Sequence, residues 1–436
     1  MSIPVVTVGQ SRDDLVGGLE RLHGPVTVVR RCAELAELMA ACQSGLARAA
    51  IVAEGSEELT ASLVDRLGAV GVVIIALTDN PEEASRLRGL GVASAPSGVK
   101  PAALAGTISD AVARQAQHGS SASPRPGSLA DPGAAATVVL GGTEEYRTPA
   151  GPGRIIAVWG PAGAPGRTFV AANMAAELAA EGNKVLLIDA DSYGASIAAV
   201  LGLLDESAGF AQACRLADQG LLDTKSLDRL AVSVATKAGT FRVLTGITRA
   251  GRWTELRPAA LATVFGHARE LVDVVVVDAG FCLESDEELS FDTMAPRRNG
   301  ATLRCLELAD TVYAVGAADP VGVPRLVRGL AELVQAVPAA TPRVLFNKVR
   351  PGTVGRDPER QLREAWDRYG PSAAISAFLP WDQKVADAAL LAGSLLLEVA
   401  PDSALRQSIS NLVCAPRQQS RRSSVPLSTA RRRAKA

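Results

Sequence analysis

The stretch Ile155-Ile-Ala-Val-Trp-Gly160-Pro-Ala-Gly-Ala-Pro-Gly166-Arg-Thr168 sets an apolar run before a glycine-rich turn, and a helical pattern follows with Ala171, Ala172, Met174, Ala175 and Leu178 on one face. A strand, a glycine turn and a helix in that order form a cradle for phosphate. Glycines at 163 and 166 let backbone N–H groups come close to an anion, and the positive end of the helix dipole adds to the attraction. Laid on the phosphate-binding pattern G-x-x-x-x-G-K-[ST], the first Gly is Pro161 and the Lys is Arg167. Gly160, Gly163, Ala164, Pro165, Gly166, Arg167 and Thr168 are the expected phosphate contacts. Pro165 removes one backbone donor from the turn. Arg167 keeps the charge of the usual Lys as a planar fork rather than a compact point.

From residue 154 to about 415, apolar runs alternate with helical patterns, with strands predicted at 155–159, 185–189, 241–245, 273–278, 311–316, 342–347 and 375–379. Nearly all are apolar throughout, as in a parallel sheet covered on both faces, so a doubly wound α/β sheet is predicted with its ligand at the carboxyl ends of the strands. Asp189 and Asp191 close the second of these strands in Leu186-Leu-Ile-Asp-Ala-Asp-Ser-Tyr-Gly194, and Asp278 ends the run Val274-Val-Val-Val-Asp278. Any one of them alone reads as a loop cap. Together with the turn they form a site: Thr168, Asp189 and Asp278 for Mg²⁺, and Asp191 with Arg167 for orienting an attacking water and holding phosphate.

Residues 1–116 hold an earlier and shorter α/β alternation, with strands predicted at 5–8, 26–29, 49–53 and 72–77. Its layout resembles a response-regulator receiver, including Thr78 after the fourth strand and Lys100-Pro101 after the fifth. Aspartyl phosphorylation is not expected, because Gly9-Gln10-Ser11 stands where the metal-binding acidic pair belongs and Glu54 where the accepting Asp would be. Asp13 and Asp14 suit a helix start better. Residues 117–153 turn to Ser, Pro, Gly and Ala and read as a flexible linker. Residues 416–436 form a basic, disordered tail that suits an acidic surface, lipid or nucleic acid, or no specific ligand.

The chain has 436 residues, 47% of them hydrophobic, and a formal net charge of -1, enough for two or three packed domains and no overall attraction to polyanions. Its six cysteines, at 32, 42, 214, 282, 305 and 414, show no C-x-x-C pair, and its three histidines do not cluster. Zinc sites and a disulfide framework are therefore not expected, and reduced thiols in the cytoplasm are. No secretory signal or membrane-spanning run is expected either.

On these motifs residues 154–415 resemble the MinD/ParA group of P-loop ATPases, and most of the chain the CpaE/TadZ type, in which a receiver-like domain precedes the ATPase. Further support comes from Asn347 after the run 344–346, from Leu379-Pro-Trp-Asp382, from Ala388-Ala-Leu-Leu-Ala-Gly393 and from Ala400-Pro-Asp-Ser403. The resemblance implies ATP with Mg²⁺, Asn347, Pro380 and Asp382 near the adenine, a homodimer, protein partners through residues 1–116, and work in pilus (Flp/Tad) assembly or at a pole, septum or inner membrane face. It departs at Ala162, where the family places a lysine that reaches phosphates across the dimer. Arg297 or Arg298 would be a replacement, although pairing with the acidic run at 284–288 or solvation is the plainer expectation. A scaffold that does not hydrolyse ATP and a ParA-like DNA partition factor are the rival readings.

Overall fold

The computed structural model describes residues 2–9, 15–22, 24–119, 151–163, 165–203, 207–284 and 297–413, the side chains of 116–119 excepted. Two parallel sheets account for most of it. The first has the order β2-β1-β3-β4-β5, from β1 (Ile3–Val8), β2 (Val26–Cys32), β3 (Ala49–Val52), β4 (Val73–Leu77) and β5 (Ala93–Ala95), all parallel. Alternate residues of β1 and β3 serve the two faces: Val6, Val8, Ala50 and Val52 join one core, and Val5, Ala49 and Ile51 the other. Helices α1 (Leu15–Arg21), α2 (Leu35–Gln43), α3 (Ala61–Ala69), α4 (Pro81–Gly89) and α5 (Pro101–Gly119) cover them. The Thr60 hydroxyl starts α3 by accepting the Leu63 N–H, and Asn80 with Pro81 starts α4. Helix α5 runs past the linker boundary expected at 116. Residues 10–14, 120–150 and 414–436 lie outside the described residues, and with them Gln10, Ser11, Asp13, Asp14, most of the expected linker and the basic tail.

The second sheet has the order β13-β12-β11-β6-β10-β7-β9-β8. Its strands are β6 (Arg154–Trp159), β7 (Val185–Ala190), β8 (Val232–Thr236), β9 (Gly239–Leu244), β10 (Val274–Ala279), β11 (Thr311–Ala317), β12 (Pro342–Val349) and β13 (Ile375–Pro380). Those expected from the apolar runs are all present. Strand β8 was not expected, and it alone pairs antiparallel, with β9 at the sheet edge. One face is packed by α6 (Arg167–Ala180), whose residues 170 to 176 and 178 to 179 are all buried. The other face carries α8 (Gly209–Asp218), α10 (Pro258–Leu271) and α12 (Gly322–Ala336), with the four-residue α7 (Ile197–Val200) ahead of them in the chain and α9 (Thr224–Leu230) and α11 (Gly300–Leu308) between them. The chain closes with α13 (Pro351–Val354), α14 (Pro358–Tyr369), α15 (Gln383–Ala392), α16 (Leu396–Val399) and α17 (Ala404–Val413).

Register explains how the acidic residues meet. Asp278 of β10 lies opposite Asp189 of β7 on one side and Val158 of β6 on the other, so both carboxylates stand at strand ends beside the glycine turn. The chain reverses its winding direction around β6, where an open α/β sheet forms its binding crevice.

The two sheets touch. Asp218 at the end of α8 accepts hydrogen bonds from the backbone N–H and hydroxyl of Ser62 on α3 and from Arg257, while Arg86 of α4 donates to the Gln219 carbonyl at 3.0 Å. Among the described residues, no helix is long and apolar enough to cross a membrane.

Candidate functional site

The loop after β6 is shaped by two left-handed glycines. Gly163 has φ +112° and Gly166 φ +97°, conformations that a side chain disfavours. Gly166 caps the start of α6, and a Cβ there would run into the Asn347 amide. Asn347 itself donates from Nδ2 to the Pro165 carbonyl at 2.7 Å and accepts the Lys348 N–H through its Oδ1. Asn347 therefore braces the loop with both ends of its amide. Ala164 lies outside the described residues.

Arg167, the first residue of α6, folds back across the loop. One nitrogen donates to the Gly160 carbonyl at 2.8 Å and another to Asp191 Oδ2 at 3.1 Å, with the two side chains only 12% and 6% exposed. The other oxygen of Asp191 accepts the backbone N–H groups of Tyr193 and Gly194. A residue expected to orient water is here a partner of the loop's own arginine. Asp189 likewise acts as a cap, its Oδ2 accepting the Ser196 and Ile197 N–H groups at 2.9 Å and its Oδ1 the Asp191 N–H at 3.3 Å. Burial, against those hydrogen bonds and with the nearby Asp191 charge, pushes the Asp189 carboxyl up to about 6.

Asp278 is different. It is 1% exposed and neither carboxylate oxygen has a hydrogen-bond partner. Burial first, and the charge of Asp189 second, raise its affinity for a proton well above that of an ordinary carboxyl; Thr168 and Arg167 pull the other way without closing a hydrogen bond. Buried polar groups are almost always paired, so an orphaned carboxylate beside a phosphate-shaped loop is a marker for a cation. The donors at hand are hard oxygens, Asp278 and the Thr168 hydroxyl, which also stands 3.5 Å from Ser196 Oγ. This set suits Mg²⁺ better than a soft metal, and among the described residues no cluster of three or more His, Cys, Asp or Glu side chains offers another metal site.

The remaining expected residues lie at the end of β13 and just after it. Pro380 ends β13 opposite Val349, and Asp382 accepts the Val385 N–H to start α15. Between them Trp381 is 40% exposed, with Lys348 Nζ 5.8 Å and Arg350 Cζ 5.5 Å from its ring. Nothing in the sequence singled out this cationic and aromatic corner. Arg297 is exposed, whereas Arg298 is half-buried, with its guanidinium carbon 3.9 Å from the Tyr193 ring centre, stacked rather than solvated. Residues 285–296, with the acidic run beyond Glu284, lie outside the described residues. Trp253 is half-buried, and its neighbours Arg252 and Arg257 pair with Glu255 and Asp218.

A doubly wound parallel sheet, a left-handed glycine loop at its switch point and strand-end aspartates define a P-loop nucleotide-binding fold. The chain belongs to the CbiA family, the CobQ/CobB/MinD/ParA nucleotide binding domain, which matches residues 156–392, more than half of its length. Solved structures similar to it include the cell division ATPase MinD of Pyrococcus furiosus, at 19% identity over 60% of this chain and 97% of that one, TM-score 0.46. Others are the septum site-determining protein MinD of Pyrococcus horikoshii OT3 complexed with Mg-ADP (20% identity, 60% and 94% covered, TM-score 0.46) and a ParA family ATPase of Chlorobium tepidum TLS (18%, 60% and 98%, TM-score 0.48). No curated protein matches the chain.

Proposed function

We propose that the chain is a nucleotide-dependent switch of the CpaE/TadZ type, a homodimer in which residues 154–415 bind ATP with Mg²⁺ and residues 1–116 dock a partner. Its work on this reading is the positioning or assembly of pilus or septal machinery at the cytoplasmic face of a pole, septum or inner membrane. The observation that carries the reading is the unpartnered, buried carboxylate of Asp278, which a divalent cation would satisfy. Asp278 and Thr168 would hold the ion, with Asp189 fixing the loop around it. Bound Mg²⁺ supplies positive charge that offsets the phosphate oxygens.

Gly160, Gly163, Pro165 and Gly166 shape the phosphate cradle, and Ala164 is assigned to it from the sequence. Arg167 turns from Asp191 to the phosphates, which frees Asp191 to orient a water. Asn347, Pro380 and Asp382 flank the base beside Trp381, which offers a stacking face.

A second reading, a scaffold without hydrolysis, is favoured by the Arg167–Asp191 pair, since breaking a buried ion pair costs about 3–5 kcal/mol. Phosphate release by the wild type, Arg167→Ala and Asp191→Ala separates the two. Turnover by the wild type that both substitutions reduce at least tenfold is expected of the enzyme; equal rates for all three would leave the scaffold.

A further inference from the structure

Helix α12 lies close against the loop. Gly329 is what allows this, because a Cβ there would stand 3.0 Å from the Trp159 ring and 3.4 Å from Pro161. Arg325 is four residues earlier and therefore on the same face of the helix. Its Nη1 lies 2.6 Å from where a Cβ on Gly163 would be, so its guanidinium rests on the loop where Gly163 has no side chain to exclude it. The neighbouring Leu326 is fully buried and packs on Gly316, which fixes the rotation of the helix.

In the ligand-free fold the other cations at this loop are engaged, and of these only Arg167 turns toward phosphate in the proposed function. Ala162 carries no charge, the Arg167 nitrogens are bound to Gly160 and Asp191, and Arg298 is stacked on Tyr193. Arg325 is exposed, and among the described residues its side chain makes no ion pair or hydrogen bond. An unpaired guanidinium leaning on a phosphate-shaped loop is a ligand for phosphate oxygens.

We infer that Arg325 is a phosphate-binding residue of this nucleotide site, supplied from within the same chain in place of the lysine that Ala162 replaces. The inference rests on the nucleotide reading above. It adds that this charge comes in cis, so what Arg325 contributes to affinity does not depend on a second subunit.

Calorimetric titration of the full chain with ATP in Mg²⁺, at two protein concentrations, tests this with Arg325→Ala, Arg325→Lys and the exposed neighbour Arg328→Ala. Loss of one charged hydrogen-bond donor weakens binding by about tenfold or more, so Arg325→Ala is expected to bind at least that much less tightly. Arg325→Lys should fall between Arg325→Ala and wild type, Arg328→Ala should match wild type, and the loss in Arg325→Ala should be the same at both concentrations. The ligand-free melting temperature of Arg325→Ala should be unchanged, since no partner is lost. Equal affinity of Arg325→Ala and wild type overturns the inference and leaves the nucleotide reading standing. A loss in Arg325→Ala that appears only at the higher protein concentration overturns its in-cis part, and no binding by the wild type removes both.

Discussion

Asp278 carries a cost in the ligand-free fold, because its carboxylate is buried without a donor and next to a second acid. Replacing it by the amide of similar shape, Asp278→Asn, removes that charge. The ligand-free variant is expected to melt a few degrees higher, at roughly 2–4 °C per kcal/mol for a domain of about 150–250 residues, and to lose any rise in melting temperature on adding Mg²⁺ with ATP. The pH dependence has a definite sign. A carboxyl raised in the folded state, as Asp278 is by burial, keeps its proton where the unfolded chain has lost it, so stability falls as pH rises from the unfolded value of about 4 toward the raised folded one. The advantage of Asp278→Asn should thus be small near pH 4 and larger at pH 7, measured by melting curves across that range. An advantage independent of pH would show that charge is not its source.

The strands of the central sheet were legible because burial on both faces leaves continuous apolar runs such as Val274 to Val277. Strand β8 escaped for the opposite reason. Its residues Val232 to Thr236 are at most half-buried and sit at an edge, so the run has too little apolar character to stand out. The glycine loop and the three aspartates were legible as a group, and strand register does bring Asp189 and Asp278 side by side. Their hydrogen bonds were not. Whether a strand-end Asp caps a turn, as Asp189 does, or stands unpaired, as Asp278 does, depends on which backbone N–H groups point at it, and that is decided by loop conformation. Arg325 was hidden more completely: it and Arg328 look alike in sequence, and only the close approach of α12 at Gly329 distinguishes them.

The two sheets are joined at a small polar junction. Asp218 gathers Ser62 of α3 and Arg257, just before α10, at once, Arg86 reaches Gln219, and Leu90 lies against Gly220. Asp218→Ala leaves the Ser62 N–H and Arg257 without their acceptor, a loss of about 1–3 kcal/mol. In scanning calorimetry it should separate a lower-melting transition for the N-terminal sheet from that of the nucleotide-binding sheet; an unchanged trace would mean that the junction contributes no coupling. Such a junction would let the state of the proposed nucleotide site reach a partner proposed to dock on residues 1–116. The proposed function depends on that site taking nucleotide. Its most direct measurement is equilibrium binding of ATP to the purified chain with and without Mg²⁺, set beside Asp278→Asn. Saturable binding that is strengthened by Mg²⁺ in the wild type, and by nothing in the variant, is the expected result. Binding that is absent in the wild type, or equally indifferent to Mg²⁺ in both proteins, would contradict it.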